Sequence, residues 1–198
     1  MLDNLKKIKI DIKYINLGGG LGIIYNNEKI IQPEKYAKLL KDFILSYDKK
    51  LTLIIEPGRF IAGNSGILLT RIVYIKKTYT KTFLLVDSAF NDLIRPTLYD
   101  AFHKIIPVNK IDKTKKFKVD IVGPICESGD FFAKDRMIPK VNQNDYLAIM
   151  SAGAYGFTMS SNYNSRLKSA EVLVKNNKPY LIRKRDTLND LIKSEILI

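Results

Sequence analysis

Ile8, Ile10, Ile12 and Tyr14 alternate with polar residues, and Ile15-Asn16-Leu17 then runs into a set of glycines. A period of two is that of a half-buried strand, here entering a loop. Pro33 stands where a first helical turn tolerates proline, and Tyr36, Leu39, Leu40, Phe43, Ile44 and Tyr47 follow at helical spacing. Leu51-Thr52-Leu53-Ile54-Ile55 is nearly all apolar, as expected of a strand buried on both faces. Strand, helix, strand predicts one βαβ unit. Beyond residue 66 the pattern changes to short alternating runs at 71–76, 82–87, 118–122, 146–150 and 171–174. The last is joined through Lys175-Asn176-Asn177-Lys178 to 180–183, which reads as a hairpin. Asp186 is placed to cap a helix over 187–192, with Leu188, Leu191 and Ile192 facing inward. The expected fold is therefore α/β over 1–66, followed by a small, mostly antiparallel β domain over 67–198. No internal repeat or low-complexity linker separates them.

Composition narrows the classes. A chain of 198 residues, 46% hydrophobic, suits one or two globular domains. No apolar run reaches the ~20 residues of a bilayer span, and Met1-Leu2-Asp3-Asn4-Leu5-Lys6-Lys7 lacks the apolar core of a signal peptide. One cysteine, Cys126, excludes an internal disulfide framework and fits a reducing cytoplasm. One histidine leaves no His-rich metal site, and no metal is expected. The formal net charge of +13 raises the question of nucleic acid. The basic pairs Lys6-Lys7, Lys49-Lys50, Lys76-Lys77 and Lys115-Lys116 and the run Arg183-Lys184-Arg185 are scattered, with no basic stripe and no aromatic–basic repeat. A lysine-rich solvated surface that draws anionic ligands inward accounts for them; no specific nucleic-acid or membrane partner is expected.

Two motifs carry candidate chemistry. Gly18-Gly19-Gly20-Leu21-Gly22-Ile23 follows the first strand and Glu56-Pro57-Gly58-Arg59 the second. Three consecutive glycines strip a loop of side chains, so backbone N–H groups can approach a phosphate; an ordinary glycine turn is the alternative. A carboxylate at the carboxyl end of a buried strand needs a partner. Glu56 suits a protonated pyridine nitrogen, which makes an aromatic ring an electron sink; a salt bridge from Glu56 to Arg59 is the alternative. Both readings are met by pyridoxal 5′-phosphate.

With the remaining motifs, the sequence resembles the carboxyl-terminal half of the diaminopimelate decarboxylase family, within the fold-type III pyridoxal-phosphate decarboxylases of ornithine, diaminopimelate and arginine. In order after the first two motifs come Asn91-Asp92-Leu93-Ile94-Arg95-Pro96-Thr97-Leu98-Tyr99, Gly123-Pro124-Ile125-Cys126-Glu127-Ser128-Gly129-Asp130 and Gly153-Ala154-Tyr155-Gly156. Asn162-Tyr163-Asn164-Ser165-Arg166 and Ala170-Glu171-Val172-Leu173-Val174 come next. The resemblance covers essentially the whole chain. It implies the last part of a (β/α)₈ barrel of the alanine-racemase kind followed by a β-barrel or sandwich domain, and decarboxylation of meso-2,6-diaminopimelate to L-lysine, a step of lysine biosynthesis.

By this resemblance Gly18, Gly19, Gly20 and Gly22 hold the cofactor phosphate, Glu56 faces the pyridine nitrogen, and Gly58 and Arg59 also bind the cofactor. Arg59, Arg95 and Tyr99 take the distal carboxylate of the substrate, where a planar guanidinium can grip with two bonds. Tyr155 lies near cofactor and substrate. Cys126 is the proton donor to the carbon that loses CO2, a task a thiol can perform, and Glu127 reads the distal amino group. Cys126 and Glu127 serve the neighbouring subunit's site, which implies a homodimer. His103 is read only as a histidine on a helix face after Tyr99.

Members of that family are considerably longer than this sequence, and their cofactor-anchoring lysine and ring-stacking histidine cannot be placed in it. Leu167-Lys168-Ser169 also stands where they usually have prolines. The expectation is a truncated or split decarboxylase, either complemented by a separate amino-terminal chain or a decaying remnant. Alternatives are a decarboxylase for ornithine, arginine or carboxynorspermidine, or a non-catalytic fragment that keeps a phosphate-ligand pocket.

Overall fold

The computed structural model describes residues 2–47, 50–109 and 114–196. They form two compact units, Met1–Gly63 and Asn64–Ile198. In the first, helix α1 (Leu2–Lys7) precedes β1 (Tyr14–Asn16), α2 (Pro33–Tyr47), β2 (Thr52–Ile54) and α3 (Gly58–Ala62). β1 and β2 pair in parallel, with Tyr14 opposite Thr52 and Asn16 opposite Ile54. A parallel pair needs a crossover, and α2 supplies it, so the βαβ reading holds.

Two expectations for this unit are corrected. The strand expected from Ile8 begins only at Tyr14. The amides of Ile8 and Ile10 instead bond back to Leu5 O at 3.2 and 3.0 Å, and Lys9 takes a φ of +60°. The alternating isoleucines thus form the exit turn of α1 rather than a ladder. Nor is β2 buried on both faces: Leu51 is buried, but Ile54 and Ile55 are 41% and 40% exposed. Parallel strands are buried when helices cover both sheet faces. Here one helix serves two strands, and none of the residues of α2 is fully buried.

The second unit is built on a mixed sheet. β3 (Leu68–Lys77), β4 (Thr82–Val86), β5 (Ile105–Pro107), β6 (Lys116–Val122), β7 (Phe131–Pro139) and β8 (Tyr146–Ile149) pair in the order β5-β8-β3-β4-β6-β7. Every pair is antiparallel except β4 and β6. Ile72, Leu84, Ile121, Phe132, Leu147 and Ile149 form the centre of its core, each at most 1% exposed. The end strands β5 and β7 approach one another. Arg136 on β7 donates to His103 O at 2.8 Å, just ahead of β5, and its guanidinium lies 4.0 Å from the Phe102 ring centre. The sheet thereby nearly closes on itself.

β9 (Glu171–Lys175) and β10 (Lys178–Arg183) form the expected hairpin. Asn176 and Asn177 turn it with φ of +52° and +59°, both left-handed as the favoured two-residue hairpin turn requires. The terminal helix α5 (Leu188–Ile192) is present, but its cap is Thr187, not Asp186. Thr187 and Asp190 form a capping box, whereas the Asp186 carboxylate accepts the Lys168 amide at 3.1 Å. The face of α5 expected to point inward is open as well: Leu188 and Ile192 are 71% and 56% exposed, because the helix is too short to lay an apolar stripe on the sheet.

Strand direction decides where the connecting loops fall. β4 and β8 are both antiparallel to β3, and β6 is parallel to β4. The chain therefore leaves β4, β6 and β8 at the same end of the sheet.

Candidate functional site

In the first unit the glycine loop and Glu56 are brought together by a residue that sequence reasoning passed over. Asn16, the last residue of β1, donates from Nδ2 to Glu56 Oε1 at 2.6 Å and accepts the Gly18 amide on Oδ1 at 2.7 Å. The Glu56 amide donates to Gly18 O at 2.8 Å. Parallel pairing of β1 with β2 puts both strand ends at one edge, so this convergence follows from topology. Gly18 and Gly20 have φ of +67° and +93°, and a Cβ on either would point into open space. Gly19 is different: a Cβ there would lie 3.0 Å from Glu56 O. The backbone of this loop is thus bare and accessible beside a carboxylate. Glu56 is exposed rather than at the end of a buried strand, and Asn16 is its hydrogen-bond partner. Gly22 is half-buried next to Ile30, Gly58 opens α3, and Arg59 is exposed on α3.

In the second unit the three loops at one end of the sheet carry Arg95 and Tyr99, Cys126 and Glu127, and Tyr155. After β4, a short helix α4 (Arg95–Tyr99) places Arg95 and Tyr99 one turn apart on one face. Arg95 is 6% exposed, and its Nη1 meets His103 Nε2 at 2.9 Å; Tyr99 is 61% exposed. His103 is not on a helix face: it lies beyond the end of α4, is fully buried, and its Nδ1 lies 2.8 Å from Met150 O. The carbonyl fixes the tautomer, with Nδ1–H donating and Nε2 accepting from Arg95. Burial, and then the charges of Arg95 and Arg136, push the His103 pKa below its ordinary value.

After β6, Cys126 and Glu127 are exposed on a tight turn. The Gly129 amide and the Ser128 hydroxyl each donate to Glu127 Oε1 at 3.2 Å. The Gly129 amide first, then Ser128, hold its carboxyl below the ordinary range. The Thr97 hydroxyl of α4 donates to Gly129 O, joining the first loop to the second. After β8, Tyr155 is 41% exposed and has a φ of +60°. That left-handed conformation is costly for a bulky residue. Its neighbour Gly156 packs against the loop backbone, where a Cβ would lie 2.3 Å from Ala152 O.

The third loop is tied to the first through Asn91, which is 1% exposed. Asn91 Nδ2 donates to Ser161 O at 3.0 Å, and its O accepts the Ser161 amide at 3.0 Å. Arg166 donates from Nε to Asn91 Oδ1 at 3.1 Å and from Nη2 to Asp87 O at 2.7 Å. Asn16, Asn91, His103, Asp130 and Arg166 are the site-building residues that received no role from the sequence. The available signal was polar residues inside or beside otherwise apolar runs at strand ends.

Residues 20–153 match the family model described as "Pyridoxal-dependent decarboxylase, C-terminal sheet domain". The chain is 49% identical over 197 residues to the diaminopimelate decarboxylase of Aquifex aeolicus, covering 99% of this chain and 46% of that protein. It is 48% identical over 191 residues to that of Vibrio cholerae, covering 96% and 45%. Among solved structures, diaminopimelate decarboxylase from Helicobacter pylori, complexed with L-lysine, superposes with a TM-score of 0.88 at 40% identity, over 98% of this chain and 47% of that one. The chain thus spans slightly less than half the length of the relatives it matches. An ordered series of motifs, close superposition on a solved relative and this level of identity agree, and the chain belongs to the pyridoxal-dependent decarboxylase family, whose C-terminal sheet domain it contains.

Proposed function

We propose that this chain forms the carboxyl-terminal part of a pyridoxal-phosphate-dependent diaminopimelate decarboxylase, converting meso-2,6-diaminopimelate to L-lysine and CO2. The observation that carries the proposal is the Asn16 bridge, which holds a bare glycine loop and the Glu56 carboxylate side by side. The residues fit the cofactor. Glycines with positive φ and no neighbour over their Cα present amides to a phosphate. An accessible carboxylate, oriented by Asn16, suits a pyridinium N–H. When bound, the cofactor's ring withdraws the electrons left behind as CO2 departs.

The chain's own residues supply the rest. Gly18, Gly19, Gly20 and Gly22 hold the phosphate, with Tyr155 beside it, and Gly58 and Arg59 also contact the cofactor. Arg59, Arg95 and Tyr99 bind the distal carboxylate. The His103 acceptor orients the Arg95 guanidinium and keeps it buried, where a charge-assisted pair is worth more than in water. Glu127, ionised well below neutral pH, takes the distal ammonium. Cys126 delivers a proton from Sγ to the former α-carbon. Exposure of Cys126 and Glu127 suits service to a neighbouring subunit in a homodimer. In this reading residues 1–66 are the last strands and helices of the (β/α)₈ barrel and 67–198 the β domain, working in the cytoplasm. No helix among the described residues is long and apolar enough to cross a membrane.

The test is substrate choice by the protein isolated from its native cell, in the assembly it adopts there. CO2 release with lysine formation from meso-diaminopimelate should exceed release from ornithine, arginine or carboxynorspermidine by about 100-fold or more, because a buried guanidinium left without its carboxylate is penalised. Preference for any of those three would replace the substrate assignment. No release from any of them would remove the decarboxylase reading.

A further inference from the structure

We infer that Asp130 is a positioning residue, whose carboxylate clasps the Cys126-Glu127 turn to the loop that leads into Arg95. The inference rests on the decarboxylase reading for what those side chains do, but not for the geometry. Asp130 is 4% exposed. Its Oδ1 accepts the Phe90 amide and its Oδ2 the Ile125 amide, both at 2.7 Å. Its own amide donates to Glu127 O at 3.0 Å, and its carbonyl accepts the Gly123 amide at 3.1 Å. All four bonds thus go to the loops after β4 and β6. The space it occupies is reserved by a glycine: a Cβ on Gly123 would lie 2.3 to 2.6 Å from the Asp130 carboxylate atoms. Ile125 and Phe90 pack together with Ala89 in a small apolar cluster beneath the turn, so releasing either amide loosens both loops. Arg166 and Asp92 are the charged groups that bear on Asp130 from neighbouring segments.

Two accepting oxygens are needed, because each meets an N–H donor. An asparagine keeps one and turns an NH2 group toward the other donor, which breaks one half of the clasp. Asp120 is a matched control. It is 7% exposed on β6 and also uses both oxygens, accepting Lys81 Nζ at 2.7 Å and the Asp135 amide at 2.6 Å. Those contacts lie along the sheet, away from the Cys126 turn.

Because Cys126 is the sole cysteine and is exposed, a trifluoromethyl label on its thiol reports the turn directly by ¹⁹F NMR on the full chain. Asp130→Asn should shift or split the label's line, and Gly123→Ala, which displaces the same carboxylate, should do likewise. Asp120→Asn should leave the line in place while lowering the melting temperature. Superimposable lines for Asp130→Asn and wild type would overturn the inference, as would an equal disturbance by Asp120→Asn. If Asp130→Asn does not fold, the wild-type label is titrated downward from neutral pH. Its line should move as Asp130 is protonated, before the fold melts; a line fixed until global unfolding overturns the inference. The label uses neither cofactor nor substrate. Failure to release CO2 would therefore remove the decarboxylase reading and leave the clasp standing, whereas an unmoved label would do the reverse.

Discussion

The chain's single histidine should make stability depend on pH in a window where no ordinary carboxylate titrates. His103 is fully buried between the Arg95 Nη1 and the Met150 carbonyl, with the Arg136 charge nearby. Burial, more than either arginine, lowers its pKa from the ordinary 6.5, against the pull of the Met150 carbonyl. The folded protein therefore binds this proton less readily than the unfolded chain. By linkage, the stabilisation is complete above about 6.5 and declines below it by ~1.4 kcal/mol per pH unit, until the folded-state pKa is reached. Asp130 works in the opposite sense at lower pH: burial raises its pKa, so its protonation favours the fold. Urea unfolding of wild type and His103→Gln, read from about pH 7.5 to about pH 5, separates the two. Glutamine can keep both hydrogen bonds without titrating, so subtracting its curve isolates the imidazole. Wild type should lose stability with the stated slope and His103→Gln should not. A slope retained by His103→Gln, or a wild-type curve flat across the window, would refute the buried neutral imidazole.

Three further outcomes are expected. Phe132→Ala, at a side chain 1% exposed in the centre of the sheet's core, should cost about 3–5 kcal/mol in urea unfolding. Asn16→Ala frees both Glu56 and the Gly18 amide, and should weaken pyridoxal phosphate retention by the native assembly by about tenfold, measured by equilibrium dialysis. Cys126→Ala should slow CO2 release without loss of bound cofactor, measured by turnover alongside cofactor absorbance; unchanged turnover removes the thiol from proton delivery.

The βαβ unit, six of the sheet and hairpin strands and the Asn176-Asn177 turn were legible because their patterns are local. β7 was not, although it is nine residues long. Lys134-Asp135-Arg136 interrupts its alternation, Asp135 takes a φ of +49°, and the pairing with β6 slips twice, so a bulge erased the period of two. β5 was too short to signal, three residues ending in Pro107. The parallel pairing of β4 with β6 was hidden as well, since pairing partners distant in sequence leave no local trace. Yet that pairing gathers the loops that carry the candidate residues at one end. The motifs named candidate residues, while the polar groups that orient the loops carrying them were invisible. Asn16, Asn91 and Asp130 each hold groups on two different segments by hydrogen bonds, which no spacing rule encodes.

The near closure of the six-stranded sheet divides the chain by its hazard of self-association. Arg136 laces one rim to the other, so β5 and β7 offer little exposed ladder on which a second molecule could template a strand. The β9–β10 ribbon is the reverse: Val172, Val174, Leu181 and Ile182 are each more than half exposed, and both of its margins are open among the described residues. Aggregation of this chain, when it occurs, should start from that ribbon, and a lysine on either margin should delay it.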